Sequence, residues 1–182
     1  GGAEGDRTLA DATKWSQIKI YAQLMVDIGP ARFVQMAEDL GIGEGRVQPV
    51  CAAILGTENV NMVEMATVYS TFARDGVRVD PVMVTRILNA EGTQLFESTP
   101  EPATVLNKTV NDQLTWALST VMSGTGWRAN LPDYPDAGKT GTAQNNADAT
   151  FMGYTRQRAT AVWVGFPAVS YTHLRAHETS ID

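Results

Sequence analysis

One short run of this chain gathers a cation, hydroxyls and glycines: Asp136-Ala137-Gly138-Lys139-Thr140-Gly141-Thr142-Ala143-Gln144. In an extended segment successive side chains alternate, so Lys139 and Gly141 fall on one face and Thr140 and Thr142 on the other. The glycines let a ligand backbone come close. A strand of this kind on a pocket edge can take a peptide by strand addition, while its ammonium holds a carboxylate. The competing chemistry is phosphate binding, since Gly-Lys-Thr also ends the pattern G-x-x-x-x-G-K-[ST]. That pattern needs a glycine five residues before Gly138, where Asp133 stands. Pro132 and Pro135 stiffen the approach, and an acid there repels phosphate. The strand reading therefore leads.

The elements that must position this run follow from the pattern on either side. Thr150-Phe151-Met152-Gly153-Tyr154 and Ala159 to Phe166 are short β-branched and aromatic runs, separated by the polar turn Thr155-Arg156-Gln157-Arg158. With the lysine segment they predict an antiparallel meander, Lys139 on its first strand. The first three-quarters of the chain is mainly helical. One helix is predicted from about Lys19 to Asp27. Another opens at Pro30, carries Phe33, Met36, Ala37 and Leu40 at helical spacing, and stops at Gly41. Val63 to Arg74 repeats the pattern, and its methionine and aromatic stripe reads as core packing. Val79 to Leu88, broken by Pro81, and Thr93 to Phe96 suggest a peripheral hairpin turning at Glu91-Gly92. Val110 to Met122 is the last helix, with Leu114, Ala117, Leu118 and Val121 on one face. Ser123-Gly124-Thr125-Gly126 must then form a loop. The fold class expected is mixed, α/β or α+β: a helical subdomain with an antiparallel sheet.

In order and spacing these runs resemble the transpeptidase domain of class A penicillin-binding proteins. The residues that carry the resemblance are Gly138 to Ala149, Gly153-Tyr-Thr155 and Ala159 to Gly165, with Ile54 to Val60 and Val63 to Ala73 upstream. Thr8 to Ala12, Tyr21-Ala-Gln-Leu24 and Gly29-Pro30 extend it to roughly residues 8 to 167. Such proteins cross-link peptidoglycan with a serine nucleophile and three motifs, S-x-x-K, S-x-N and K-T-G. The resemblance implies a β-lactamase/transpeptidase-like fold and catalytic roles for Ser16 and Lys139. It implies substrate binding by Thr140, Gly141 and Thr142, with neither metal nor organic cofactor. The partners implied are stem peptides ending in D-Ala-D-Ala and β-lactam antibiotics. The place is the bacterial cell envelope, outside the cytoplasmic membrane, held by an anchor upstream of this sequence.

Two departures from the family pattern bear on activity. The family's S-x-x-K lies well upstream of S-x-N, so the nucleophile is expected to precede Gly1 and this chain alone to be inactive. Counting back from Tyr21 places S-x-N on Ser16-Gln17-Ile18, where isoleucine replaces an amide able both to donate and to accept. Ser16-Gln17-Ile18-Lys19 also spells S-x-x-K, and on a helix residues three apart share a face, which would make Lys19 the base for Ser16. Its flanks and the distance to Lys139 suit S-x-N better, leaving Lys19 a solvated lysine. Ser16 also stands where a helix N-cap would, before Ile18 and Ile20. The enzymatic alternative is a D,D-carboxypeptidase or β-lactamase-like hydrolase. Ile18 keeps open a non-catalytic penicillin-binding or peptidoglycan-sensing module.

The domain expected is residues 1–167, followed by a tail at 168–182 whose Val169 to Thr179 resembles a translated library adapter and is set aside from the fold. Both histidines, His173 and His177, lie in that tail. Without them a Ser-His-Asp triad is excluded, which suits lysine as the base. The 182 residues carry 20 acidic and 14 basic side chains, a net charge of −6, which gives no support to nucleic-acid binding. Hydrophobic residues make up 43% and charged ones 19%, so the chain can form a packed core. The single cysteine, Cys51, has no disulfide partner, and its apolar neighbours predict a small core residue. No apolar run reaches membrane-spanning length.

Overall fold

The computed structural model describes residues 7–143 and 148–165. Helices α1 (Leu9–Lys14), α2 (Ile18–Ile28), α3 (Pro30–Asp39) and α4 (Met62–Ala73) fill the first part of the chain, with a short 3₁₀ helix at Cys51–Leu55. Small strands follow: β1 (Val77–Arg78), β2 (Arg86–Leu88), β3 (Gln94–Glu97) and β4 (Ala103–Thr104). Then come α5 (Lys108–Val121), a 3₁₀ turn at Trp127–Ala129, and β5 (Ala137–Thr142), β6 (Asp148–Tyr154) and β7 (Ala159–Gly165).

The last three strands form an antiparallel sheet in the order β5-β6-β7, with Lys139 opposite Met152 and Met152 opposite Ala161. The meander read from the sequence is therefore present, and β5 is an edge strand of that sheet. The hairpin β2-β3 turns at Gly92, whose φ of 82° is a left-handed conformation that glycine adopts without penalty. It is shorter than Val79 to Leu88 implied, and its strands are exposed. The pairing of β1 with β4 was not predicted; each has two residues, too few to show a period.

Helix boundaries follow local chemistry. Pro30 opens α3, where its fixed φ suits a first-turn position. Asn61 caps α4 by accepting the Glu64 N–H while the Glu64 carboxylate accepts the Asn61 N–H, a reciprocal box. Asn107 caps α5 through the Val110 N–H. Helix α1 is an addition to the sequence reading: Thr8 accepts the Asp11 N–H at 3.1 Å and donates to its carboxylate at 2.8 Å.

Helices α4 and α5 pack on the sheet, α4 against β6 and β7 and α5 against β5. Three rings join them: Tyr69 and Phe72 of α4 meet edge-on at 5.4 Å, and Tyr154 of β6 lies 6.0 Å from Tyr69 and 6.2 Å from Phe72. The Tyr154 hydroxyl donates to Thr115 Oγ1 of α5 at 2.9 Å. Asn111, fully buried, donates from Nδ2 to the Phe72 carbonyl at the end of α4. The α4 stripe is thus core, as its period predicts. Cys51 corrects the sequence expectation: it is exposed. Its 3₁₀ segment is a surface connector that turns Ala53 inward, so apolar neighbours did not report the cysteine's own direction. Among the described residues no helix is long and apolar enough to cross a membrane.

Candidate active site

Ser16 and Lys139 meet although 123 residues separate them: Lys139 Nζ donates to Ser16 Oγ. The same ammonium donates to the Thr140 carbonyl at 2.9 Å, which bends the lysine back along its own strand. Lys139 is half-buried on the edge strand, and Ser16 is half-buried in the link between α1 and α2.

The local structure around Ser16 explains how it gets there. Helix α1 ends with Trp15 as its cap, and Ser16, the next residue, has φ of 53°. The Ser16 N–H bonds the Thr13 carbonyl at 3.3 Å and the Gln17 N–H bonds the Ala12 carbonyl at 2.9 Å. This pair of bonds is the left-handed helix terminus usually built around glycine. A serine in that conformation costs about 1–2 kcal/mol of local strain, and such strain persists only where the surroundings fix it. The sequence-based N-cap alternative for Ser16 is overturned: the N-cap of α2 is Gln17, which makes no side-chain cap bond. Ser16 closes the preceding helix instead of opening the next. Lying outside α2, it shares no helical face with Lys19, which is exposed. A hydrogen bond between the Thr13 and Tyr21 hydroxyls ties α1 to α2 across this link.

The strand side is set by the sheet. Gly141 lies opposite Thr150 of β6, and a Cβ at 141 would run into the Thr150 hydroxyl. Glycine there thus has a reason within the sheet as well as toward a ligand. Thr140 is 9% exposed, and its hydroxyl is buried without a hydrogen-bond partner. Thr142 is half-buried on the same strand. Ile18, at the position of the family amide, is the first residue of α2 and is 58% exposed. Gln144, His173 and His177 lie outside the described residues.

Sequence reasoning missed what supports Ser16 from the other side. Gly124 and Thr125 sit against the end of α1, and Thr125 donates from both N and Oγ1 to the Lys14 carbonyl, each at 3.2 Å. The run Ser123-Gly-Thr-Gly126 signalled a loop, but nothing in its composition signalled what that loop touches.

A half-buried lysine held on a serine hydroxyl, on a strand that is an edge among the described residues, can donate positive potential and pass a proton, as acyl transfer requires. The comparisons agree. The model of the penicillin binding protein transpeptidase domain matches residues 2–173. Penicillin-binding protein 2a of Streptococcus pneumoniae is 31% identical over 162 residues, which cover 85% of this chain and 22% of that protein. Penicillin-binding protein 1A of Mycolicibacterium smegmatis is 31% identical over 183 residues, covering 88% of this chain and 23% of that one. Among solved structures, PonA1 of Mycobacterium tuberculosis in complex with penicillin V matches with a TM-score of 0.84 at 29% identity. That match covers 96% of this chain and 51% of the other.

The chain belongs to the transpeptidase-domain family of penicillin-binding proteins, of the class A kind, and has its β-lactamase-like mixed α/β fold. It spans less than a quarter of the length of these curated relatives and about half of the solved chain.

Proposed function

We propose that this chain supplies the lysine side of the active site of a serine-type D,D-transpeptidase that cross-links peptidoglycan stem peptides. The observation that carries the reading is the contact of Lys139 Nζ with Ser16 Oγ, joined from opposite ends of the chain. A nucleophilic serine attacks the carbonyl of the penultimate D-alanine. Its proton passes through the site, with Ser16 as the relay, to the nitrogen of the departing D-alanine. An amine from a neighbouring strand then attacks the acyl-enzyme, forming the cross-link and freeing the serine. Lys139 supplies positive potential for the substrate carboxylate and the developing oxyanion. Thr140 and Thr142 are assigned to the carboxylate by the family resemblance; the Thr140 hydroxyl is buried and without a protein partner. Gly141 keeps the strand slim where the peptide lies alongside. β-Lactams imitate the dipeptide and stop at the acyl stage, and the setting is the bacterial cell envelope. We take the domain as residues 1–167 and 168–182 as a non-native tail, although the family model reaches residue 173.

The single S-x-x-K spelled in the sequence is Ser16-Gln17-Ile18-Lys19, and the left-handed link splits it between a helix end and the next helix. On the proposed reading the nucleophile comes from a segment outside this sequence, and this polypeptide alone is inactive. Incubation with a fluorescent penicillin tests both points. The expected result is no covalent band on this chain and a band on the full-length protein that carries it. A band on this chain that disappears in Ser16→Ala would make Ser16 the nucleophile. Ile18 favours a second reading, a non-catalytic penicillin-binding or peptidoglycan-sensing module, in which the full-length protein binds penicillin without a covalent band. A D,D-carboxypeptidase or β-lactamase-like hydrolase would form the band and release the acyl group to water, with no incorporation of an added amine.

A further inference from the structure

We propose that Thr125 is the positioning residue for Ser16, holding it left-handed and so keeping its hydroxyl on Lys139. Its importance for catalysis rests on the transpeptidase reading; the positioning itself does not.

A helix leaves its last carbonyls without intrahelical partners, and the partners of those from Asp11 to Lys14 at the end of α1 can be traced. The Asp11 carbonyl takes the Trp15 N–H at 3.0 Å, Ala12 takes Gln17 at 2.9 Å and Thr13 takes Ser16 at 3.3 Å. The fourth, on Lys14, is bonded from 111 residues away, by the Thr125 N–H and hydroxyl. Thr125 is 5% exposed, so this is an interior contact. The approach is close enough to require glycine next to it. A Cβ at Gly124 would lie 2.5 Å from Lys14 Cγ and 2.7 Å from the Lys14 oxygen. The loop is anchored at its start by α5, where Thr120 Oγ1 donates to the Ala10 carbonyl at 3.5 Å and to Ala117 at 2.7 Å.

Ser16 follows Lys14 by two residues and sits in a conformation that a serine leaves readily if its neighbours allow. Fixing the Lys14 carbonyl fixes the peptide planes that lead into it. Release of that carbonyl lets Ser16 relax toward a right-handed or extended conformation, which carries Oγ away from Lys139. The loop after α5 therefore acts on the site without touching a reacting group.

The test is NMR on this chain, reading amide hydrogen exchange together with the Lys139 13Cε shift. Thr125→Val removes the hydroxyl's bond to the Lys14 carbonyl at nearly constant shape and leaves that of the Thr125 N–H. It should speed exchange at Ser16 and Gln17 about five- to tenfold relative to the α4 amides. It should also move the Lys139 signal toward its position in Ser16→Ala. Thr125→Ser should restore both, and Ser16→Gly combined with Thr125→Val should recover protection, because glycine holds the conformation unaided. Unchanged exchange at Ser16 and Gln17, acceleration spread evenly over all helices, or Thr125→Ser behaving as valine would overturn the proposal. Failure of the transpeptidase reading would leave these rates as expected.

Discussion

At the scale of single residues, Ser16 carries two separable properties: a hydroxyl on Lys139 and a backbone at φ 53°. Ser16→Ala removes the hydroxyl and keeps the backbone penalty, whereas Ser16→Gly removes both. The glycine variant should therefore be more stable than the alanine one by about 1 kcal/mol, a difference of roughly 2–4 °C in Tm for a chain of this size. Thermal unfolding of the pair measures it. An alanine variant as stable as the glycine one would mean that the serine is not strained. The sequence did not carry this conformation, because the residue usually found at such a helix end is glycine and here it is serine. It did carry the identity of the serine, but only through the family order of motifs. No periodicity or local propensity relates residue 16 to residue 139.

At the scale of elements, legibility tracked length and period. Helices α3, α4 and α5 were read within one or two residues, because each shows an apolar stripe and a cap or breaker at its ends. The three-stranded sheet was read because its strands are β-branched and its turns polar. Helix α1 escaped because six residues are less than two turns, although its Thr8-x-x-Asp11 cap was present in the sequence. Strands β1 and β4 escaped for the same reason, and their pairing is a contact across more than twenty intervening residues. Asn111 illustrates a further limit. A polar residue in an amphipathic helix reads as solvent-facing, yet it is buried because a carbonyl at the end of α4 needs its Nδ2. The expectation at Cys51 failed in the opposite direction, since apolar neighbours along the chain do not fix which side of a short turn faces inward.

At the scale of the whole molecule, the core that backs the site has a built-in sensitivity to base. Burial pushes the Tyr69 phenol well above its ordinary value of 10.0, with Tyr154 and then Tyr21 adding to the effect. Burial also raises Tyr154, while its bond with Thr115 acts to lower it. Both folded-state values lie above the unfolded ones, so the stability they contribute is complete below pH 10 and is lost as pH climbs through the folded values. The urea midpoint should hold steady up to about pH 9 and fall above about pH 10, with a shallower fall in Tyr69→Phe. An equal fall in that variant would remove Tyr69 as the cause. That core holds β5 and so presents Lys139, and the claim at the centre of the functional reading is that this lysine's charge drives acylation. The direct measurement is the penicillin acylation rate of the full-length protein with Lys139→Ala, at matched folding. Loss of positive potential from a half-buried lysine should lower that rate roughly 30- to 1,000-fold, with Lys139→Arg recovering part of it. A Lys139→Ala protein acylated within about twofold of the parent rate would make the lysine a bystander and contradict the reading.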